Sequence, residues 1–68
     1  MLVAKKNEIR KKRISLRLSQ RQLSIKAGLP DNAICRIENE NFNSIYPIRA
    51  KAIAEALNCS IHELFEEI

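Results

Sequence analysis

Apolar residues recur along most of the chain at the three- and four-residue spacings of amphipathic helices, and no stretch alternates convincingly with period two. This pattern predicts five helices and an all-α fold. The first helix is expected over 5–16, with Ile9 and Leu16 two turns apart on its inner side. Arg13 lies between them on the same stripe, so the pattern places a charge where a core residue is expected.

The second helix has clear signals at both ends. Ser19 is its predicted N-cap, and Gln22 three residues later completes a capping box of the S-x-x-Q form. Leu18 and Leu23 have the spacing of a hydrophobic staple around this cap. Gly28 then supplies the left-handed residue that ends the helix. Local signals alone therefore predict where this helix begins and ends.

The third helix is expected to begin near Pro30 or Asp31. Proline suits the first turn of a helix, and an acid is favourable at the positive end of the helix dipole. The residues then divide into an apolar stripe and a polar face. The stripe comprises Ala33, Ile34 and Ile37, and the polar face comprises Asp31, Asn32, Cys35, Arg36 and Asn39.

The C-terminal half predicts a polar loop, "ENENFNSIY", followed by two more helices. The fourth helix begins at about Pro47, which suits an early helical position. The fifth follows Ser60, which forms a second capping box with Glu63. The inward-facing residues are predicted to be Ala50, Ile53, Ala54 and Leu57 on the fourth helix and Ile61, Leu64 and Phe65 on the fifth.

Size and composition narrow the class of protein. A chain of 68 residues has room for a single domain, 1–68. Its two cysteines are too few for the disulfide framework of a small secreted domain. No apolar run approaches the roughly 18 residues that span a bilayer, and the charged N-terminal segment is the reverse of a signal peptide. We therefore expect a cytoplasmic protein with free thiols.

Positive charge is concentrated in the first half of the chain. Residues 1–30 contain nine Lys and Arg residues against one acid, which gives a net charge of +8. Residues 31–68 contain three against seven acids, which gives −4. A basic half indicates a polyanionic partner. The run "KKNEIRKKR" taken alone is equally consistent with a solvated helix face.

Two short helices joined by a glycine turn have the layout of a helix-turn-helix. In this chain "SQxxL", "AGL" and "IxRIEN" occur in order, and they resemble the Cro/cI-type, or XRE, family of helix-turn-helix proteins. Upstream, "KKRISLRLSQ" resembles the first-helix segment of lambdoid phage repressors, and "AKAIAEALNCSIHELF" is similar to the family's fourth and fifth helices. The resemblance covers roughly 5–66. It implies a compact five-helix bundle of the lambda repressor-like type, with the motif at about 19–39.

The resemblance also implies which residues read DNA bases. The recognition helix, about 31–39, is expected in the major groove, with its N-terminal part at the base edges. Asn32 can pair with adenine and Arg36 with guanine. Asp31 can accept a hydrogen bond from a cytosine amine or can instead cap the helix. The implied base-reading residues are Asp31, Asn32, Cys35 and Arg36.

Contacts to the DNA backbone are implied around the start of the second helix and after the recognition helix. Gln20 matches the family position that braces the backbone, where helix N-terminal amides also face a phosphate. The chain departs from the family pattern at Arg17 and Glu40, which both replace a frequent glycine. Arg13 and Glu38 match an ion pair between the first and third helices. The implied phosphate-binding residues are Arg17, Gln20, Arg21, Asn39, Asn41 and Asn43, with Arg49 as a further candidate.

Other kinds of chemistry find little support in the residues. Cys59 and His62 have a C-x-x-H spacing, but a structural zinc site needs about four ligands. We therefore expect neither a metal nor another cofactor. With one histidine and no nucleophilic triad, the chain is not expected to be an enzyme. Two interpretations of Cys35 are open: a redox sensor or, as we favour, a small contact residue beside a thymine methyl.

The implied function is a sequence-specific regulator that binds double-stranded DNA. We expect a homodimeric repressor on a palindromic operator, because two copies read two half-sites one helical turn apart. The alternative is an antitoxin or a protein-binding adaptor that uses the same fold mainly as a scaffold. Its acidic C-terminal segment would then offer a docking surface for a protein partner.

Overall fold

The computed structural model describes residues 2–39 and 44–67. Within these ranges the chain forms the five predicted helices and, in addition, three short strands. The helices are α1 (Lys6–Ser15), α2 (Gln20–Lys26), α3 (Ala33–Asn39), α4 (Pro47–Ala56) and α5 (Ile61–Leu64). The strands are β1 (Leu2–Ala4), β2 (Ser44–Ile45) and β3 (Phe65–Glu67).

The prediction of five helices is confirmed, but the fold is not exclusively helical, because segments near both ends of the chain and one before α4 pair in a small antiparallel sheet. β1 lies in the centre, with β2 on one side and β3 on the other. Leu2 faces Ile45 in β2, and Ala4 faces Phe65 in β3. Phe65, which was expected on the last helix, therefore begins a strand. Strands of two or three residues are too short to show a period of two, so the pairing is visible only in the tertiary structure.

The apolar stripes of the helices meet the inner side of this sheet in one core. All four inward positions predicted for α4 are buried, and Leu64 and Phe65 are buried as well. Ile61 is half-buried and packs against the same cluster. The largest fully buried side chains are Ile9, Leu23, Ile34, Ile53, Leu57, Leu64 and Ser24.

Three of the helices, α1, α2 and α4, end in the same way. A residue with left-handed φ follows each of them: Arg17 (58°), Gly28 (75°) and Asn58 (55°). The next residue donates its N–H to a carbonyl five residues earlier, which is the Schellman arrangement. These bonds run from Leu18 to Arg13 (3.1 Å), from Leu29 to Ser24 (2.9 Å) and from Cys59 to Ala54 (2.9 Å). Each turn thus returns an apolar side chain to the core.

Leu16 does not occupy the inner stripe on which it was expected. Its side chain is exposed, whereas Ile9 in α1 is completely buried. The reason is that α1 ends at Ser15 and the chain reverses at Arg17. Leu18, placed by that reversal, packs against the core instead.

Candidate nucleic-acid interface

The start of α2 has the geometry that its sequence predicts. Ser19 Oγ accepts the Gln22 N–H at 3.0 Å, and Gln22 Oε1 accepts the Ser19 N–H at 2.8 Å. These two bonds form the complete capping box. Gly28 has the predicted positive φ after the helix. Local interactions therefore define both ends of α2 as the sequence predicts.

The third helix begins later than the sequence predicts, at Ala33 rather than at Pro30 or Asp31. The Ala33 N–H donates to the Pro30 carbonyl at 3.0 Å, a three-residue bond that makes this segment a turn. Helical bonding starts with the Arg36 N–H, which donates to the Asn32 carbonyl at 3.1 Å. Two predicted base-reading residues, Asp31 and Asn32, thus lie in the turn that leads into the helix.

The polar face of α3 is presented to solvent as predicted. Arg36 and Asn39 on α3 are exposed, as is Asn32 in the turn just before it, and Cys35 is half-buried between them. Asn39 Nδ2 donates to Cys35 Sγ at 3.2 Å, so two of the predicted DNA contacts touch each other. Beside this face lies a groove of about 340 Å³ between α3 and the start of α4. Asn32, Arg36, Tyr46 and Arg49 contribute to its lining.

A largely buried polar network joins the end of α3 to α1 and α2. The Arg13 guanidinium donates to both carboxylate oxygens of Glu38, at 2.8 Å from Nε and 3.1 Å from Nη2. Its Nη1 also donates to the Leu18 carbonyl at 2.9 Å. Only 11% of the Arg13 side chain and 5% of the Glu38 side chain are exposed. The charge on the inner stripe of α1 therefore has a partner.

Gln20 belongs to the same network. Its Nε2 donates to Glu38 Oε1 at 3.1 Å, so the first residue of α2 is tied to the last turn of α3. This contact restrains the side chain that was expected to brace the DNA backbone. It also means that Glu38 accepts hydrogen bonds from two different helices.

The remaining predicted phosphate contacts lie before and within the first turn of α2. Arg17 is exposed and occupies the left-handed turn. Arg21 is exposed too, and its Nε lies 3.9 Å from Asp31 Oδ2. Such a solvated pair contributes little stability. Glu40, Asn41 and Asn43 lie outside the described residues.

Ser24 is a residue that the sequence reasoning overlooked. Among residues 2–39 and 44–67 it is the one polar residue with no exposed surface at all. Its Oγ donates to the Gln20 carbonyl at 2.8 Å and accepts the Ile34 N–H at 3.0 Å. The available signal was a hydroxyl directly after inward-facing Leu23, at a position where α2 packs on α3.

The other titratable groups that the sequence singled out lie at the start of α5. Burial raises the pKa of the Cys59 thiol. The Ser60 N–H donates to Glu63 Oε2 at 2.8 Å and so lowers the pKa of that carboxyl. His62 is exposed. Within the described part of the chain, no three His, Cys, Asp or Glu side chains are grouped as metal ligands.

None of the helices within residues 2–39 and 44–67 is long and apolar enough to cross a bilayer.

A comparison with known families agrees with this geometry. A family model described as Helix-turn-helix matches residues 9–64, from α1 to the end of α5. No curated protein matches the chain. The family match covers most of the chain and confirms the resemblance seen in the sequence. The chain therefore belongs to the XRE-type helix-turn-helix family of DNA-binding proteins.

Proposed function

We propose that the protein is a homodimeric repressor that recognises a palindromic operator through the polar face of α3. Membership of its family makes it a DNA-binding transcription regulator in general terms. The observation that supports sequence-specific binding is the exposure of Asn32 and Arg36 opposite buried Ile34 and Ile37. An amide and a guanidinium form bidentate contacts with adenine and guanine, respectively, at the major-groove edge.

Contacts with the backbone would place this face on the duplex. Gln20 and Arg21 open α2, and Arg17 lies in the turn just before it, so one short segment offers two cations and the amides of a helix N-terminus. Such groups contact phosphates and fix the position of a protein on DNA without reading its sequence. We assign Asn32 and Arg36 to reading bases and this segment to binding phosphates.

We propose a second copy of the chain because a single copy contacts too few base pairs to specify an operator. One helix of seven residues reaches only a few base pairs, whereas a two-fold dimer reads two half-sites about 10 base pairs apart. The operator should therefore be a palindrome with that spacing. Selection of bound sites from random duplex DNA tests this proposal. Recovery of unrelated sequences would refute sequence-specific recognition, and a lone half-site would refute the dimer.

Two substitutions separate base reading from phosphate binding. Arg36→Ala should relax the preference at one base position and cost about 1–3 kcal/mol at the selected site. Arg21→Ala should instead weaken binding to all sequences alike and reduce the slope of log K against log salt by about 0.9. The reverse result would overturn the assignment. A wild-type protein that binds no duplex at low salt would favour the protein-binding adaptor.

A further inference from the structure

We infer that Ser24 is a positioning residue for base recognition, because it sets the orientation of α3 from inside the motif. This inference rests on the proposed function, since it concerns how accurately α3 presents its base-reading residues. Ser24 itself is fully buried and cannot touch DNA. Its effect must therefore pass through the backbone of α3.

The hydroxyl of Ser24 serves as a cap for α3 that comes from another helix. The first backbone N–H groups of any helix lack partners within it. In α3 the Ile34 N–H is one of them, and it donates to Ser24 Oγ at 3.0 Å. Ile34 has no exposed surface, so water has little access to this donor. The same hydroxyl donates to the Gln20 carbonyl, which fixes its direction.

Polar contacts therefore hold α3 near both of its ends. At the C-terminal end Glu38 accepts hydrogen bonds from Arg13 and Gln20, and at the N-terminal end Ile34 is held by Ser24. Between them the helix is held by apolar packing, which is not directional. Hydrogen bonds weaken steeply as their angle and distance depart from the optimum. They consequently define the tilt and rotation of α3 more sharply than the apolar stripe does.

The end held by Ser24 is the end that presents the base-reading residues. Asn32 and Arg36 flank Ile34 in sequence, two residues away on either side. Bidentate contacts to base edges tolerate small displacements poorly, whereas the phosphate contacts assigned to the Arg17 and Arg21 side chains do not involve the Ser24 hydroxyl. Loss of the Ser24 hydroxyl should therefore reduce discrimination between bases and leave non-specific binding nearly unchanged.

The test compares wild type with Ser24→Ala and with the milder Ser24→Cys, whose thiol fills the site but accepts hydrogen bonds weakly. Ile53→Val, at a fully buried position of α4, is the control for a general loss of stability. Affinities are measured, well below each melting temperature, for the selected site, for single-base variants of it and for unrelated duplex. Hydrogen exchange of the Ile34 amide is followed in the same samples.

Ser24→Ala should lower the ratio of selected-site to single-base-variant affinity by at least about fivefold, with Ser24→Cys between it and wild type. Its affinity for unrelated duplex should stay within about twofold of wild type, and the Ile34 amide should exchange faster. Ile53→Val should change neither the ratio nor the local exchange.

An unchanged ratio in folded Ser24 variants, or an equal loss of specific and non-specific binding, would overturn the inference. If Ser24→Ala does not fold, Ser24→Cys decides by the same criteria. If wild type shows no base preference, the proposed function fails separately. Exchange at Ile34 that is no faster in the variants than in wild type would then still overturn the positioning role.

Discussion

Glu38→Ala removes the acceptor that joins three helices, and we expect it to lower the melting temperature substantially. The Glu38 carboxylate accepts two bonds from Arg13 and one from Gln20, and its side chain is 5% exposed. The substitution leaves the Arg13 guanidinium, itself 11% exposed, without its counter-charge. Truncating one partner of a buried pair costs about 3–5 kcal/mol, mostly because the other charge stays desolvated.

The expected loss is large relative to the stability of such a small domain. Domains below about 70–80 residues rarely gain more than 3–5 kcal/mol from their core. For 60–100 residues, each kcal/mol shifts the melting temperature by about 4–8 °C. A loss at the lower limit, about 3 kcal/mol, therefore lowers the melting temperature by at least about 12 °C. Thermal melts followed by circular dichroism, together with urea titrations, measure this directly.

A double substitution distinguishes the pairing from simple loss of packing. Replacing both partners, in Arg13→Met with Glu38→Leu, should restore most of the stability, because no unpaired charge remains. The coupling between the two sites should then exceed about 0.5 kcal/mol in a double-mutant cycle. A Glu38→Ala melt that overlays the wild-type melt would refute the assigned role. Additive effects of Arg13→Met and Glu38→Leu on the free energy of unfolding would also refute it.

Two other predictions concern helix ends. Arg17→Gly should stabilise the protein by up to about 1 kcal/mol, because glycine has no Cβ to oppose the left-handed φ of 58°. It should also lower the salt slope of DNA binding by about 0.9 if Arg17 contacts a phosphate. Asn58→Gly is the matched control, and it should increase the stability less, because asparagine tolerates the left-handed conformation. Thermal melts measure the changes in stability, and salt titrations of DNA binding measure the slope. An Arg17→Gly variant that is no more stable than wild type would contradict the first expectation. The second prediction concerns Glu63, whose folded-state pKa is lowered by the Ser60 N–H. Its stabilising effect is present above the unfolded pKa of about 4.3 and is lost as the pH falls through the lower folded-state value. Glu63→Gln keeps a side-chain oxygen that can accept the Ser60 N–H, as Gln22 accepts the Ser19 N–H in α2, but it does not titrate. The melting temperature of this variant should therefore fall less than that of wild type between about pH 7 and about pH 3. Identical plots of melting temperature against pH for the two proteins would contradict this.

Structural features that depend on residues close together in the sequence were predictable from the sequence. The capping boxes at Ser19 and Ser60 and the left-handed Gly28 all appear where expected. The late start of α3 was not predictable in the same way. Pro30 and Asp31 favour a helix N-terminus locally, but the Ala33 N–H bonds to the Pro30 carbonyl and keeps this segment in a turn. This local turn bond forms in place of the first helical turn that the two residues predict.

Ser24 shows a different limit of sequence reasoning. Its hydroxyl bonds to Ile34, ten residues away, and nothing in the spacing of α2 indicates that partner. A serine in a helix commonly bonds to the carbonyl four residues earlier, as Ser24 does with Gln20. The second bond exists only because α2 and α3 pack closely. Tertiary polar contacts of this kind can be identified only from the structure.

The sheet that the pattern missed also bears on the position of the recognition helix. β1 leads directly into α1, and the Lys5 N–H between them donates to the Leu64 carbonyl at 2.7 Å. The start of α1 is thereby tied to the junction of α5 and β3. Its other end contributes Arg13, which holds Glu38 at the end of α3. Because α1 is held at both ends, the Arg13–Glu38 pair links α3 to a helix whose position is itself fixed. The short strands therefore help to define where the base-reading face lies.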